Sequence, residues 1–267
     1  MRPLNAPQTN VTTDGREPLL CIEGITKNFG AVEALRGVTF DVYPGEVLAL
    51  LGDNGAGKST LVKIIAGTLQ SDGGMIRFDG KTVRFDTPHH AKAAGIETVY
   101  QDLSLCPNID VVANFFMGRE LCHNFLGLKV LREKKMQAEA KKALDEIGTH
   151  IPSVRTNVEN LSGGQRQAIE LCRFVHWGGK LVILDEPFAA LGVEQTRRGL
   201  ELIDSVRKKG IAVIIITHNM LHAFKVADRV VVLRHGVVEG DHEAASTTPE
   251  EVVAMITGEF ARQAAAG

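Results

Sequence analysis

The stretch "GDNGAGKST", residues 52–60, places three glycines, one lysine and two hydroxyl residues in nine positions. It follows the apolar run "EVLALL" (46–51) and precedes "LVKIIAG" (61–67). A buried strand therefore runs into a loop almost bare of side chains, and a helix starts at its end. That order builds an anion cradle. Successive backbone N–H groups converge, the helix N-terminus adds partial positive charge, and glycine lets the chain approach a phosphate closely. The stretch fits G-x-x-x-x-G-K-[ST], with Gly52, Gly57, Lys58 and Ser59 at its fixed places and Asp53, Asn54, Gly55, Ala56 and Thr60 completing the loop. Lys58 is expected on the β- and γ-phosphates of a nucleotide, and Ser59 on its Mg²⁺.

Two further stretches belong with this loop. "LVILDE", residues 181–186, is four apolar residues followed by two carboxylates at a strand tip. Asp185 is expected to hold Mg²⁺ through water, and Glu186 to polarise an attacking water. "LSGGQ", residues 161–165, precedes the helical run "RQAIELCRFV". Ser162 is expected to cap that helix, with Gly163 and Gly164 leaving its end bare and Leu161 and Gln165 flanking them. This is a second anion site, yet one domain holds one triphosphate. A second copy of the chain, offering its helix end, resolves the surplus.

The rest of the chain supplies a frame for these sites. Its 267 residues are 44% hydrophobic and 23% charged with net charge −2, a balance that suits a large globular domain and lacks the basic excess of a nucleic-acid binder. No apolar run approaches the length of a membrane span, and residues 1–18 lack an apolar signal region. Cys21, Cys106, Cys122 and Cys172 are scattered, as in a protein with reduced thiols. Residues 19–51 read as an antiparallel hairpin leading into a buried strand, and "MIRFDGKTVRF" (75–85) as a hairpin turning at Asp79–Gly80. "GIETVYQ" reads as a strand ending at Gln101. Residues 103–177 read as mainly helical, with Met136, Ala140, Leu144 and Ile147 at helical spacing before a stop at Gly148. After them, apolar strands alternate with helices, which predicts a parallel sheet covered on both faces.

In motif order and over residues 19–258, the sequence resembles the nucleotide-binding subunit of ABC transporters. Residues 52–60 look like Walker A, Gln101 like the Q-loop, 161–165 like the signature and 181–185 like Walker B. Glu186 looks like the catalytic glutamate and His218 like the switch histidine. The resemblance implies an α/β fold: a P-loop NTPase core with a mainly parallel sheet, an N-terminal antiparallel β subdomain, and a helical subdomain inserted at 103–177. Residues 1–18 would be a disordered lead and 259–267 a flexible tail. It also implies that two chains sandwich two ATP–Mg²⁺, each between one P-loop and the opposite signature. Phe29 would stack on adenine, and Gln101 would ligate Mg²⁺ and link the site to a membrane subunit. Lys58, His218 and the signature helix end would offset phosphate charge while Glu186 orients water.

Two positions depart from the family pattern: Gly192 stands where a D-loop Asp is usual, and Phe188 follows Pro187 where Thr is usual. The first resembles the monosaccharide-importer branch, as do "GIETVYQDLSL" and "VADRVVVLRHG". The branch implies an ATP-hydrolysing subunit of a sugar importer at the cytoplasmic face of the cell membrane. It would form a homodimer on binding ATP, with polytopic permease subunits and, indirectly, a secreted sugar-binding protein as partners. The alternatives are an exporter ATPase and a soluble, non-transport ABC ATPase; too few residues separate Lys58 from Asp185 for the coiled coil of the repair members. His218 and His222 are spaced as zinc ligands could be, but the protease glutamate is absent, and surface or packing is the reading preferred for His222. Residues 102–118 carry Leu103, Leu105, Phe115, Phe116 and Met117, and are expected to dock the permease, the alternative being that they only form the core of the subdomain.

Overall fold

A computed structural model describes residues 8–9, 16–99, 105–125, 128–146, 148–188 and 193–259. The chain begins with β1 (Gln8–Thr9), then β2 (Leu20–Phe29), β3 (Val32–Val42) and β4 (Val47–Leu51). Helix α1 (Lys58–Ile65) follows the glycine loop. Next come β5 (Gly73–Phe78), β6 (Lys81–Val83), α2 (Pro88–Ala94) and β7 (Ile96–Val99). Then follow α3 (Val111–Phe116), β8 (Cys122–Phe125), β9 (Leu128–Leu131), α4 (Glu133–Glu146) and α5 (Gly163–His176). The C-terminal part is β10 (Leu181–Asp185), α6 (Val193–Lys208), β11 (Ala212–Ile216), α7 (Met220–Val226), β12 (Arg229–Arg234), β13 (Val237–Glu243) and α8 (Pro249–Thr257).

The main sheet has the order β1-β13-β12-β4-β11-β10-β7 and is parallel except for the β12–β13 pair. Its central strands are apolar throughout because both faces are covered. Side-chain alternation along β4 divides the core. Val47, Ala49 and Leu51 face the layer of α3–α7, whereas Leu48 and Leu50 face α1 and the antiparallel sheet. That second sheet, β3-β2-β5-β6, is the expected N-terminal β layer. Its β5–β6 turn falls at Asp79 and Gly80, both at positive φ (52° and 72°), as a two-residue I′ turn needs. The β2–β3 hairpin turns at Gly30 and Ala31, and residues 43–46 carry the chain from one sheet to the other. A buried ionic cluster fastens the two sheets: Arg229 Nε donates to Glu46 Oε1 (2.7 Å), its Nη1 to Asp241 Oδ2 (2.8 Å), and its Nη2 to the Asp41 carbonyl of β3.

Residues 105–177 leave the sheet after β7 and return to it at β10, but they are less helical than the sequence predicts. Between α3 and α4 lies a two-stranded antiparallel ribbon, β8–β9, in which Phe125 faces Leu128. The strands are four residues long and carry β-favouring Phe, Val and Leu without a helical repeat, so length hid them. In α4, Met136, Ala140 and Leu144 are buried as the periodicity predicts, and Gly148 follows at φ 71°. Ile147, Leu103 and Gln101 lie outside the described residues.

The expectation that Phe115 and Phe116 face a permease is corrected. Both rings have 0% exposure, because α3 packs on the C-terminal end of α5, where Phe116 meets Trp177 edge-on at 5.6 Å. Leu105 is buried as well; Met117 is exposed. The apolar residues of α3 make the core of this layer.

Candidate nucleotide site

Strands β12, β4, β11 and β10 lie side by side, so the loops at the C-terminal ends of β4, β10 and β11 meet. They border an open cleft of about 1170 Å³, lined by Lys58, Ser59, Asp185, Glu186, His218 and Phe29 among others. Gly52, at the tip of β4, has φ 151°, and a Cβ there would stand against the Leu233 carbonyl oxygen. Gly57, the N-cap of α1, has φ 105°, and its Cβ would come 2.7 Å from the Ala34 carbonyl oxygen. Close packing onto β12 and β3, beyond any phosphate, requires these two glycines.

Lys58 opens α1 and its Nζ donates to the carbonyls of Gly52 (2.7 Å) and Asp53 (2.9 Å). Burial pushes its pKa down, while the carboxylates of Glu186, Asp53 and Asp185 oppose the shift. Asp53 Oδ1 accepts from the Asn54 N–H at 2.7 Å, and the Ala56 N–H donates to the Asp53 carbonyl at 3.1 Å, which closes the loop. Asp185, the last residue of β10, has its pKa raised, first by burial and then by Glu186, with Lys58 opposing. It makes no salt bridge among the described residues. A half-buried carboxylate without a salt-bridge partner, lining the same cleft as Ser59 with its hydroxyl, offers the hard oxygen donors that Mg²⁺ takes, so the residues present fit that ion.

Glu186 occupies a left-handed backbone conformation, φ 48°, rare for a residue with a side chain. Its N–H donates to the Ile216 carbonyl (2.8 Å), which ties the tip of β10 to that of β11. Its Oε1 accepts from the His218 N–H (3.0 Å) and lies 2.8 Å from His218 Nδ1, while Oε2 accepts from Thr217 Oγ1 (3.3 Å). Strain at this position is therefore over-determined by its neighbours, the pattern expected where a side chain must be aimed. Thr217 went unnoticed in the sequence. The hydroxyl one place before a switch-type histidine was the available signal. Asn219 then caps α7 by accepting from the His222 N–H at 3.2 Å.

Phe29 ends β2 with half its surface exposed, and Lys27 Nζ sits 5.7 Å from its ring centre. Phe188, the residue of unusual type, turns away from the cleft. It is buried against His222, ring centres 5.5 Å apart and nearly perpendicular, and lies over Gly199 of α6. Burial, with Lys225 and His218, holds the His222 pKa below its ordinary value, consistent with packing as its role. Gly192 lies outside the described residues.

Residues 161–165 stand apart and line no part of the cleft. Ser162 caps α5 as expected, its Oγ accepting from the Gln165 N–H at 3.3 Å. The helix end is not bare, however: Gln165 Oε1 accepts from the Ser162 N–H at 3.0 Å, completing a reciprocal box. Leu161 is buried, and a Cβ on Gly164 would meet open space.

A glycine cradle, a lysine at a helix start and two carboxylates at the tip of β10, next but one to β4, make the arrangement of a P-loop nucleotide site. A model of the family described as "ABC transporter" matches residues 35–189. Over 239 residues the chain is 46% identical to the xylose/arabinose import ATP-binding protein XylG of Sulfolobus acidocaldarius, covering 90% of this chain and 94% of that one. It is 44% identical to the fructose import ATP-binding protein FrcA of Rhizobium meliloti, covering 91% and 95%. Against the ribose import protein RbsA 2 of Escherichia coli O157:H7 it is 39% identical and spans 47% of that relative's length. Among solved structures, the ADP conformation of the ATP-binding cassette MJ1267 matches with a TM-score of 0.75 at 25% identity, covering 90% of this chain and 95% of that one. The chain belongs to the ABC transporter family and is an ATPase of that family.

Proposed function

We propose that this chain is the ATP-hydrolysing subunit that drives uptake of a simple sugar through a membrane permease. One observation carries the assignment of the site: adjacent strand tips deliver Lys58, the Asp185–Glu186 pair and His218 to a single cleft, with Glu186 held by His218. The sugar rests on the relatives, whose names speak of xylose/arabinose, fructose and ribose import.

In this reading the loop N–H groups and the Lys58 ammonium take the β- and γ-phosphates of ATP. Ser59 and Asp185 hold Mg²⁺, which when bound neutralises charge on the phosphate oxygens; Gln101 is proposed as a further ligand and as the link to the permease. Glu186 orients the attacking water and accepts its proton. His218 fixes the Glu186 carboxylate and donates toward the γ-phosphate. Phe29 offers a ring face to adenine. Residues 161–165 are proposed to act on the ATP of a second copy, since they lie outside their own chain's cleft. Permease subunits would anchor the pair at the cytoplasmic side of the membrane, because no described helix is long and apolar enough to cross it. A secreted sugar-binding protein would complete the importer.

The experiment is uptake of labelled xylose, arabinose, ribose and fructose by cells carrying the permease with the parent chain or its Lys58→Ala variant. Accumulation of one sugar that the variant abolishes supports import. Faster loss of preloaded solute with the parent chain would mean export instead.

A further inference from the structure

Residues 119–135 differ in charge from the whole. They hold Arg119, Lys129, Arg132, Lys134 and Lys135 against Glu120 and Glu133, in a chain of net charge −2. Within them, β8 and β9 pair with each other and join neither larger sheet. Their register sets Phe125 opposite Leu128 and His123 opposite Val130, so Phe125, Leu128 and Val130 share one face. These three are 60%, 69% and 40% exposed. The base of the ribbon is fixed: the Arg132 N–H donates to the Leu121 carbonyl at 2.7 Å, and Leu121 packs on the core. A two-stranded ribbon gains little from its own hydrogen bonds in water, and contiguous exposed apolar residues mark a surface that something covers.

The acids of the segment are engaged locally. Glu120 Oε1 accepts from the Gly118 N–H at 2.9 Å, and Glu133 lies 3.9 Å from Arg155. Lys129, Arg132 and Lys134 have no ion-pair partner among the described residues. Protein interfaces are depleted in lysine around their apolar centres, whereas Phe and Leu bracketed by Lys and Arg suit the boundary between acyl chains and anionic headgroups. Long basic side chains also reach phosphates while their stems stay on apolar surface.

We propose that the β8–β9 ribbon seats in the headgroup layer of an anionic phospholipid bilayer, with Phe125 and Leu128 entering the acyl boundary and Lys129, Arg132 and Lys134 on headgroup phosphates. This contact does not depend on which solute is carried, and it lies outside the nucleotide cleft.

The test is co-sedimentation of the purified full chain with vesicles of phosphatidylcholine alone and with vesicles of equal parts phosphatidylcholine and phosphatidylglycerol. The parent should sediment with the anionic vesicles only, and less at high salt. Phe125→Ser with Leu128→Ser, and separately Lys129→Glu with Arg132→Glu, should each lower the bound fraction about tenfold or more while leaving basal ATPase activity unchanged, which also reports folding. Equal binding to both vesicle types, no binding, or binding that both variants retain would overturn the proposal. So would loss of permease co-purification in both variants with no vesicle binding by the parent, which would give the face to a protein partner. A parent that binds vesicles but lacks ATPase activity would count against the proposed catalytic site and leave the lipid contact standing.

Discussion

The carboxylate of Glu186 accepts from both the backbone N–H and Nδ1 of His218, at 3.0 and 2.8 Å. The two residues hold each other: His218 fixes the direction of the carboxylate, and the carboxylate holds a proton on Nδ1 and turns Nε2 outward.

Glu186→Gln keeps the size of that side chain and removes its ability to accept a proton. Hydrolysis should fall by about 10²-fold or more, the usual contribution of a positioned base. Lys58, Ser59 and Asp185 are untouched, so ATP–Mg²⁺ should still bind. The variant should accumulate as an ATP-bound homodimer, while the parent returns to monomer with ADP. Size-exclusion chromatography with light scattering checks this, and a variant that stays monomeric at saturating ATP would contradict the trans arrangement proposed for residues 161–165.

Lys58→Ala removes the cation at the start of α1 and two hydrogen bonds to loop carbonyls. ATP hydrolysis should be lost and nucleotide affinity should drop strongly. The strand and helix that flank the loop are buried independently of Lys58, so circular dichroism should be unchanged. Parent-like turnover in the purified variant would sink the site assignment.

Phe188 and Gly199 form a packing pair, since a Cβ at Gly199 would come 2.5 Å from Phe188 Cε1. Gly199→Ala should cost roughly 1–3 kcal/mol by overpacking. Phe188→Ala should cost roughly 3–5 kcal/mol through the cavity it leaves. The double variant should be less destabilised than the sum, because the methyl enters the emptied space. Urea melts of the four proteins measure the coupling, and strict additivity would show that the ring does not rest on α6.

Arg229 is the cation between two buried acids, Glu46 and Asp241, and burial already pushes the Asp241 pKa up. Arg229→Ala should destabilise by about 3–5 kcal/mol, as removal of one partner from a buried pair does. A shift below about 1 kcal/mol in chemical denaturation would mean that water reaches the cluster.

The parts of the site that are local in sequence could be read there. "GDNGAGKST" between an apolar strand and a helix, and "LVILDE" with its terminal acids, each carry their own context, and the structure places both at one cleft edge. What depends on distant partners could not be read. The apolar character of Phe115 and Phe116 says that something covers them, but only the fold shows that α5 does. Gly52 and Gly57 read as phosphate glycines, while the carbonyls of Leu233 and Ala34 supply a second, purely steric reason. The β8–β9 ribbon was missed because four-residue strands are too short to show a period. Phe188 departs from the family pattern in sequence, and only the fold shows that it packs over Gly199.

The box at Ser162 and Gln165 caps the far end of helix α5. Helix α5 has 14 residues, and its other end joins β10 through Trp177, Gly178, Gly179 and Lys180. At ~1.5 Å per residue it is a lever about 21 Å long, and a tilt of about 10° at its base swings Ser162 through about 3.7 Å. That arc exceeds the whole useful range of a hydrogen bond. A rotation of that size at the foot of the lever, where Phe116 of α3 packs on Trp177, would make or break a contact at its tip. In the proposed trans arrangement, the gearing between a distant push and the arrival of Ser162 would be set by the length of one helix.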